Sequence, residues 1–242
     1  MTRNISMWSG PRNISTAMMY SFRQRSDTRV YDEPLYGSYL TRVAGVAHPG
    51  VQEVVAAMDC NADSVISDMH AETVDEVRFF KNMAHHTDGL GLELLGGLQN
   101  FILCRPPADQ LVSLEAGMTG APTLRDTGYE YQTAILDWLI DHGQEPVVVV
   151  APSVLADPEG VLRVLCEKLN LEWDPRMLEW PSGPKPEDGV WAKHWYTSVH
   201  ATTGFGAPRP VRTEVPDHLR DLYRACLPQY ERLAEYAISA AS

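Results

Sequence analysis

Met7-Trp8-Ser9-Gly10-Pro11-Arg12-Asn13-Ile14-Ser15-Thr16-Ala17 is the stretch whose reading decides the fold. Upstream, Asn4 to Trp8 reads as a short, mostly buried strand. Downstream, Ile14, Ala17, Met18 and Phe22 recur at helical spacing, which predicts a helix from about Asn13. A strand turning through Ser-Gly-Pro into a helix gathers free backbone N–H groups at one point, beside the positive end of the helix dipole. Gly10 allows close approach of backbone, Arg12 brings a permanent charge, and Ser15 and Thr16 bring hydroxyls. A phosphate or sulfate is the guest such a turn favours. No Gly-Lys-Ser/Thr follows Gly10, so the Walker A cradle for ATP or GTP, with its Mg²⁺-binding hydroxyl, is missing from the sequence.

Working outward, the chain of 242 residues suits one α/β domain spanning 1–242. Its formal net charge of −12 argues against a nucleic-acid or anionic-membrane partner, so any anionic ligand needs a local basic pocket. Cys60, Cys104, Cys166 and Cys226 form no CxxC pair and read as reduced thiols of a cytoplasmic protein. No apolar run is long enough to span a bilayer and no signal-peptide core is evident.

Thr28 to Asp32 reads as a second strand, ended by Pro34, which leaves Glu33 at the edge where open α/β sheets carry ligands. Ser38 to Met58 reads as helical, broken around His48-Pro49-Gly50, and Ser64 to Ile66 as a short strand or turn. Val77 to Met83 reads as a strand that delivers Lys81 and then His85 and His86 to the same edge. Gln99 to Cys104 is a buried-strand pattern ending at Arg105, followed by a helix. Residues 117–128 read as a loop and Tyr129 to His142 as an amphipathic helix. Pro146 to Val150, an unbroken β-branched run, predicts a central parallel strand covered on both sides. Asp157-Pro158-Glu159 opens a further helix. Residues 180–210 are irregular and aromatic-rich, a pattern typical of functional segments. A last helix is expected from about Pro216, interrupted at Pro228 and resumed to about Ile238. Alternating strands and helices indicate a three-layer α/β fold, a central parallel sheet flanked by helices.

Four of these stretches together resemble the 3′-phosphoadenosine-5′-phosphosulfate (PAPS)-dependent sulfotransferases, over residues 3 to 205. Residues 9–17 look like the family's 5′-phosphosulfate loop, with Arg12 where Lys is usual and Ile14 where a second Gly is usual. Ile102-Leu103-Cys104-Arg105 through Ser113 looks like the 3′-phosphate motif, an Arg at a strand end and a Ser two helical turns along. Leu155 through Leu171 is similar to the Asp-Pro-Glu helix, although Pro152-Ser153 stands where an aromatic-acid pair is common. Lys185-Pro186-Glu187-Asp188-Gly189-Val190-Trp191-Ala192-Lys193-His194-Trp195 resembles the late loop that closes over the nucleotide.

The resemblance implies a P-loop-like fold, PAPS as co-substrate, no metal, and a small-molecule acceptor bearing a hydroxyl or amine. It implies nucleotide contacts from Gly10, Arg12, Asn13, Ser15, Thr16, Arg105, Ser113, Lys185, Gly189, Trp191 and Lys193. Arg12 would act electrostatically on the leaving phosphate, because a guanidinium does not donate its proton. Glu33 and His85 are alternative catalytic bases; Met83 stands where many eukaryotic members carry a His. His70 and His86 are further base candidates, Lys81 could bind acceptor or sulfuryl oxygens, and Trp195, Tyr196, His70 and the 117–128 loop are expected around the acceptor. A small-molecule kinase with a degenerate phosphate loop, or a non-catalytic nucleotide-binding protein of the same fold, are the rival readings.

Overall fold

In the computed structural model, which describes residues 2–43, 48–118, 120–208 and 210–240, five strands form one parallel sheet. They are β1 (Arg3–Ser9), β2 (Thr28–Asp32), β3 (Val77–Met83), β4 (Gln99–Cys104) and β5 (Val148–Val150), in the order β2-β3-β1-β4-β5. Because every neighbouring pair is parallel, all five C-terminal ends lie on one edge. The helices are α1 (Ser15–Arg23), α2 (Tyr36–Arg42), α3 (Val51–Ala57), α4 (Ala62–Met69), α5 (Pro107–Glu115), α6 (Leu124–Thr127), α7 (Tyr129–Asp141), α8 (Ala151–Ala156), α9 (Pro158–Lys168), α10 (Ala192–Trp195), α11 (Thr197–His200) and α12 (Arg220–Ala234).

Period-two side-chain alternation explains the three layers. Ile5, Met7, Phe79, Phe101, Leu103 and Val149 enter one core, with Met18 and Phe22 of α1 and Leu162 and Leu165 of α9. Trp8, Phe80, Ile102, Val148 and Val150 enter the other, with Leu111 of α5, Ile135 and Leu139 of α7 and Leu233 of α12. Both faces of the sheet are therefore dry, as a parallel sheet requires.

Several expectations need correction. The apolar run at Pro146–Val150 is the edge strand β5, not a central one, and only Val148–Val150 are in strand. Its valines are still buried on both faces, Val149 in one core and Val148 and Val150 in the other, and its outer edge is partly paired: the Ile238 N–H donates to the Val148 carbonyl at 2.9 Å and Ala237 forms a parallel bridge to Val148. Ser64–Ile66 lies inside α4, where Asn61 caps by accepting from the Ser64 N–H at 3.0 Å, so the cap outweighed the local β-branched pattern. The helical stretch Ser38–Met58 divides into α2 and α3, and its residues 44–47 lie outside the described residues. So do residue 119 of the expected 117–128 loop, which holds the short helix α6, and residue 209 of the 180–210 segment. Pro228 does not interrupt α12: the helix continues through it, and the carbonyl it leaves without a donor belongs to the exposed Arg224. Helix α1 starts at Ser15 rather than Asn13.

Candidate active site

The turn from β1 to α1 is held from behind by side chains. Gln132 donates to the Trp8 carbonyl at 3.2 Å, Gln110 to the Pro11 carbonyl at 3.1 Å and Arg105 to the Arg12 carbonyl at 2.8 Å. A Cβ on Gly10 would stand 3.0 Å from both the Gln110 amide and the Thr127 carbonyl, so the glycine serves close packing of the turn against α5 and α6. Arg12 carries the left-handed backbone of the turn, with φ of 57°, and Ile14 has an ordinary negative φ. This is how the loop accommodates Ile14. Asn13 donates to the Leu103 carbonyl at 3.0 Å and accepts from the Ile14 N–H at 2.9 Å. Its amide, expected on the nucleotide, is engaged in shaping the turn.

No side chain caps α1 at Ile14, so the first-turn N–H groups of Ser15, Thr16 and Ala17 are free of intrahelical and cap partners. Arg12 Nε donates to the Ser113 carbonyl at 3.1 Å and to Ser113 Oγ at 3.2 Å, which joins the β1–α1 turn to α5. Arg105, Arg12, Asn13, Ser15, Thr16 and Ser113 all line one cavity of about 1590 Å³. That exceeds the roughly 300–1,000 Å³ of a single-ligand pocket.

More of the lining comes from the ends of β2 and β3, at the same edge of the sheet. Glu33 has a left-handed backbone too, φ 49°, with its N–H donating to the Lys81 carbonyl at 2.8 Å. Lys81, fully buried, directs its ammonium to Asp32 Oδ1 at 2.8 Å, to Glu33 Oε1 and to the Tyr196 hydroxyl at 2.7 Å. Those three bonds use all its donors, so it is not available for acceptor or sulfuryl oxygens. Burial pushes the Glu33 carboxyl above its ordinary range; Lys81 pulls it down and Asp32 pushes it up. His86 lies between the Tyr36 and Tyr39 rings, and His85 meets the Tyr39 ring edge-on. Neither Nδ1 has a hydrogen-bond partner. Burial, then the neighbouring His48, holds His85 down to about 3, and burial and His85 hold His86 well below the ordinary range. Both are neutral imidazoles at neutral pH.

Of the late loop, Trp191 lines the cavity and donates from Nε1 to the Tyr196 hydroxyl at 3.2 Å. Lys185, Gly189 and Lys193 do not line it. Lys185 faces the Tyr20 ring and bonds the Gly183 carbonyl, Gly189 donates its N–H to Asp32 Oδ2 at 3.1 Å, and Lys193 pairs with Glu53. His70 also lies elsewhere, on the Leu94 carbonyl at 3.0 Å, whereas Trp195 and Tyr196 do line the cavity. The sequence reading missed Asp32, Tyr36, Tyr39 and His48. For Asp32 a signal existed: it neighbours Lys81 in the β2–β3 register.

Among the described residues no group of three or more His, Cys, Asp or Glu could hold a metal, and no helix is long and apolar enough to cross a membrane.

The sulfotransferase-domain family model matches residues 3–237. Two curated proteins of Arabidopsis thaliana are similar. Branched-chain-amino-acid aminotransferase-like protein 1 is 38% identical over 240 residues, 98% of this chain and 43% of its own length. Branched-chain-amino-acid aminotransferase-like protein 2 is 36% identical over 231 residues, 95% of this chain and 41% of its own. The chain thus spans about two-fifths of the length of these relatives. Among solved structures, the sulfotransferase from Alicyclobacillus acidocaldarius matches with a TM-score of 0.56 at 12% identity, over 97% of this chain and 95% of that one. The sulfotransferase domain from the curacin biosynthetic pathway matches with a TM-score of 0.56 at 14% identity, over 97% of each chain. At such identities these structures speak for the fold alone. With the sheet, the uncapped α1 turn and the family match over nearly its whole length, the chain belongs to the sulfotransferase domain family.

Proposed function

We propose that the chain transfers a sulfuryl group from PAPS to a hydroxyl or amine of a small acceptor by in-line displacement. The observation that carries this is that one cavity is lined both by Arg12, Arg105, Ser113 and the uncapped start of α1 and by the carboxylate-bearing Glu33. The first set supplies what an adenosine bearing two phosphate ends needs: helix N–H groups, hydroxyls and guanidinium forks.

In this reading Arg12, Ser15, Thr16 and the turn amides hold the charge that develops on the leaving phosphate. Glu33 takes the acceptor proton on Oε2, because Oε1 already binds Lys81. As the acceptor oxygen or nitrogen bonds to sulfur, the S–O bond to the phosphate breaks, and its electron pair stays on that phosphate. Glu33 then releases its proton to water. Of the two candidate bases Glu33 is preferred, since an imidazole that resists protonation down to about pH 3 is a weak proton acceptor.

A thermal-shift series with 3′-phosphoadenosine 5′-phosphate, 5′-AMP and ATP–Mg²⁺ tests the donor assignment. The bisphosphate should stabilise by RT ln(1 + [L]/Kd), and 5′-AMP much less. Arg105→Ala should bring the two nucleotides close to equal. Stabilisation by ATP–Mg²⁺ alone would overturn the proposal in favour of a kinase, and bisphosphate binding without turnover across a broad acceptor panel would favour a binding protein.

A further inference from the structure

Asp32 and Glu33 are consecutive at the end of β2, yet only Glu33 lines the cavity. The Asp32 side chain is 1% exposed and accepts three different donors. Its Oδ1 takes Lys81 Nζ at 2.8 Å, both oxygens take the Tyr196 hydroxyl at 2.9 and 2.8 Å, and Oδ2 takes the Gly189 N–H at 3.1 Å. One ammonium is therefore shared between two carboxylates, and a hydroxyl from the segment after α10 sits on the shared pair.

We propose that Asp32 is a positioning residue that keeps Glu33 a working proton acceptor, by drawing the Lys81 ammonium and the Tyr196 hydroxyl to itself. The inference rests on Glu33 being the base. A buried Lys81–Glu33 pair alone would fix Glu33 as a neutralised anion of low proton affinity. With Asp32 present, the group of three carries one net negative charge, and Lys81 orients Glu33 without cancelling it. The direction of the Glu33 shift agrees: burial and Asp32 raise it against the pull of Lys81. The other groups facing Glu33 do not substitute for Asp32. His86 Nε2 stands 3.9 Å from Oε2 but is held neutral by burial, and the Tyr36 phenol of α2 is pushed well above neutrality by burial.

The test is carboxyl ¹³C NMR of protein labelled at glutamate, with Glu33→Gln used to assign the Glu33 signal. In Asp32→Asn the Glu33 titration midpoint should fall by about one pH unit or more, a tenfold loss of proton affinity. The acid limb of kcat/KM should move down with it, at unchanged affinity for 3′-phosphoadenosine 5′-phosphate. A midpoint that stays or rises in folded Asp32→Asn overturns the proposal. Should that variant not fold, Asp32→Ser decides, because it also removes the carboxylate that competes for Lys81; the Glu33 midpoint should again fall, and an unmoved or raised one overturns the proposal. Full activity in Glu33→Gln would remove the base assignment itself, an outcome distinct from the behaviour of the midpoint.

Discussion

Arg12 and Glu33, which line the same cavity, are two of the three non-glycine residues with a left-handed backbone among those described. Such a conformation costs an L-residue about 1–2 kcal/mol, and it persists only where the surroundings fix it. At Arg12 the carbonyl is pinned by Arg105 and the guanidinium by Ser113. The two consequences of replacing Arg12 can therefore be separated. Both Arg12→Ala and Arg12→Gly should lower kcat by about 10²- to 10³-fold through loss of charge at the leaving group. Arg12→Gly should be the more stable of the two by about 1 kcal/mol, since glycine adopts this backbone without penalty. Urea denaturation beside steady-state kinetics reads both, and near-normal turnover in either variant would remove Arg12 from the mechanism. The residue types of this turn were legible from sequence because Gly, Arg, Ser and Thr each announce their chemistry. Which of them bends the backbone was not, since Arg12 rather than Ile14 takes the unusual φ.

At the level of elements, every strand that delivers a cavity residue was readable from periodicity, and β3 and β4 have the predicted bounds. The error at β5 is physical: an unbroken valine run reports burial on both faces, not position in the sheet, and Ala237–Ile238 pairs part of the edge that β5 leaves open. The late loop shows a related limit of the sequence. Lysines and a glycine near a tryptophan suggest phosphate contact, and long-range packing gives Lys185, Gly189 and Lys193 protein partners that no local pattern announces. Gly189 illustrates this, since a Cβ there would lie 2.2 Å from the Trp191 ring, which is itself 4% exposed. Gly189→Ala should displace the indole from the cavity wall and loosen the hold of Trp191 on Tyr196. The expected cost is about 1–3 kcal/mol in denaturant unfolding, the range for overpacking. Stability within 0.5 kcal/mol of wild type, taken roughly as the scatter of neutral surface changes, would show that the loop repacks freely.

For the molecule as a whole, the buried imidazoles set a pH dependence opposite in sign to that of the surface. With a formal net charge of −12, acidification from neutrality relieves self-repulsion, and on that ground alone stability should rise as pH falls. His85 and His86 act the other way. Their folded pKa values lie below the ordinary 6.5, so the unfolded chain takes up protons that the folded one refuses. Their contribution is complete above about pH 6.5 and is lost as pH falls, for His85 down to about 3. The maximum slope is about 1.4 kcal/mol per pH unit for each imidazole. Glu33 opposes them, because a carboxyl raised in the folded state binds its proton before the unfolded one does, but it is one group against two. Against that charge background His85→Asn isolates one imidazole: between pH 7 and pH 5 the wild-type melting temperature should fall relative to that of the variant, by up to one proton's worth of slope. Parallel curves for the two proteins would mean that His85 takes up its proton inside the fold, and that the aromatic wall beside it opens to water where the structure has it closed.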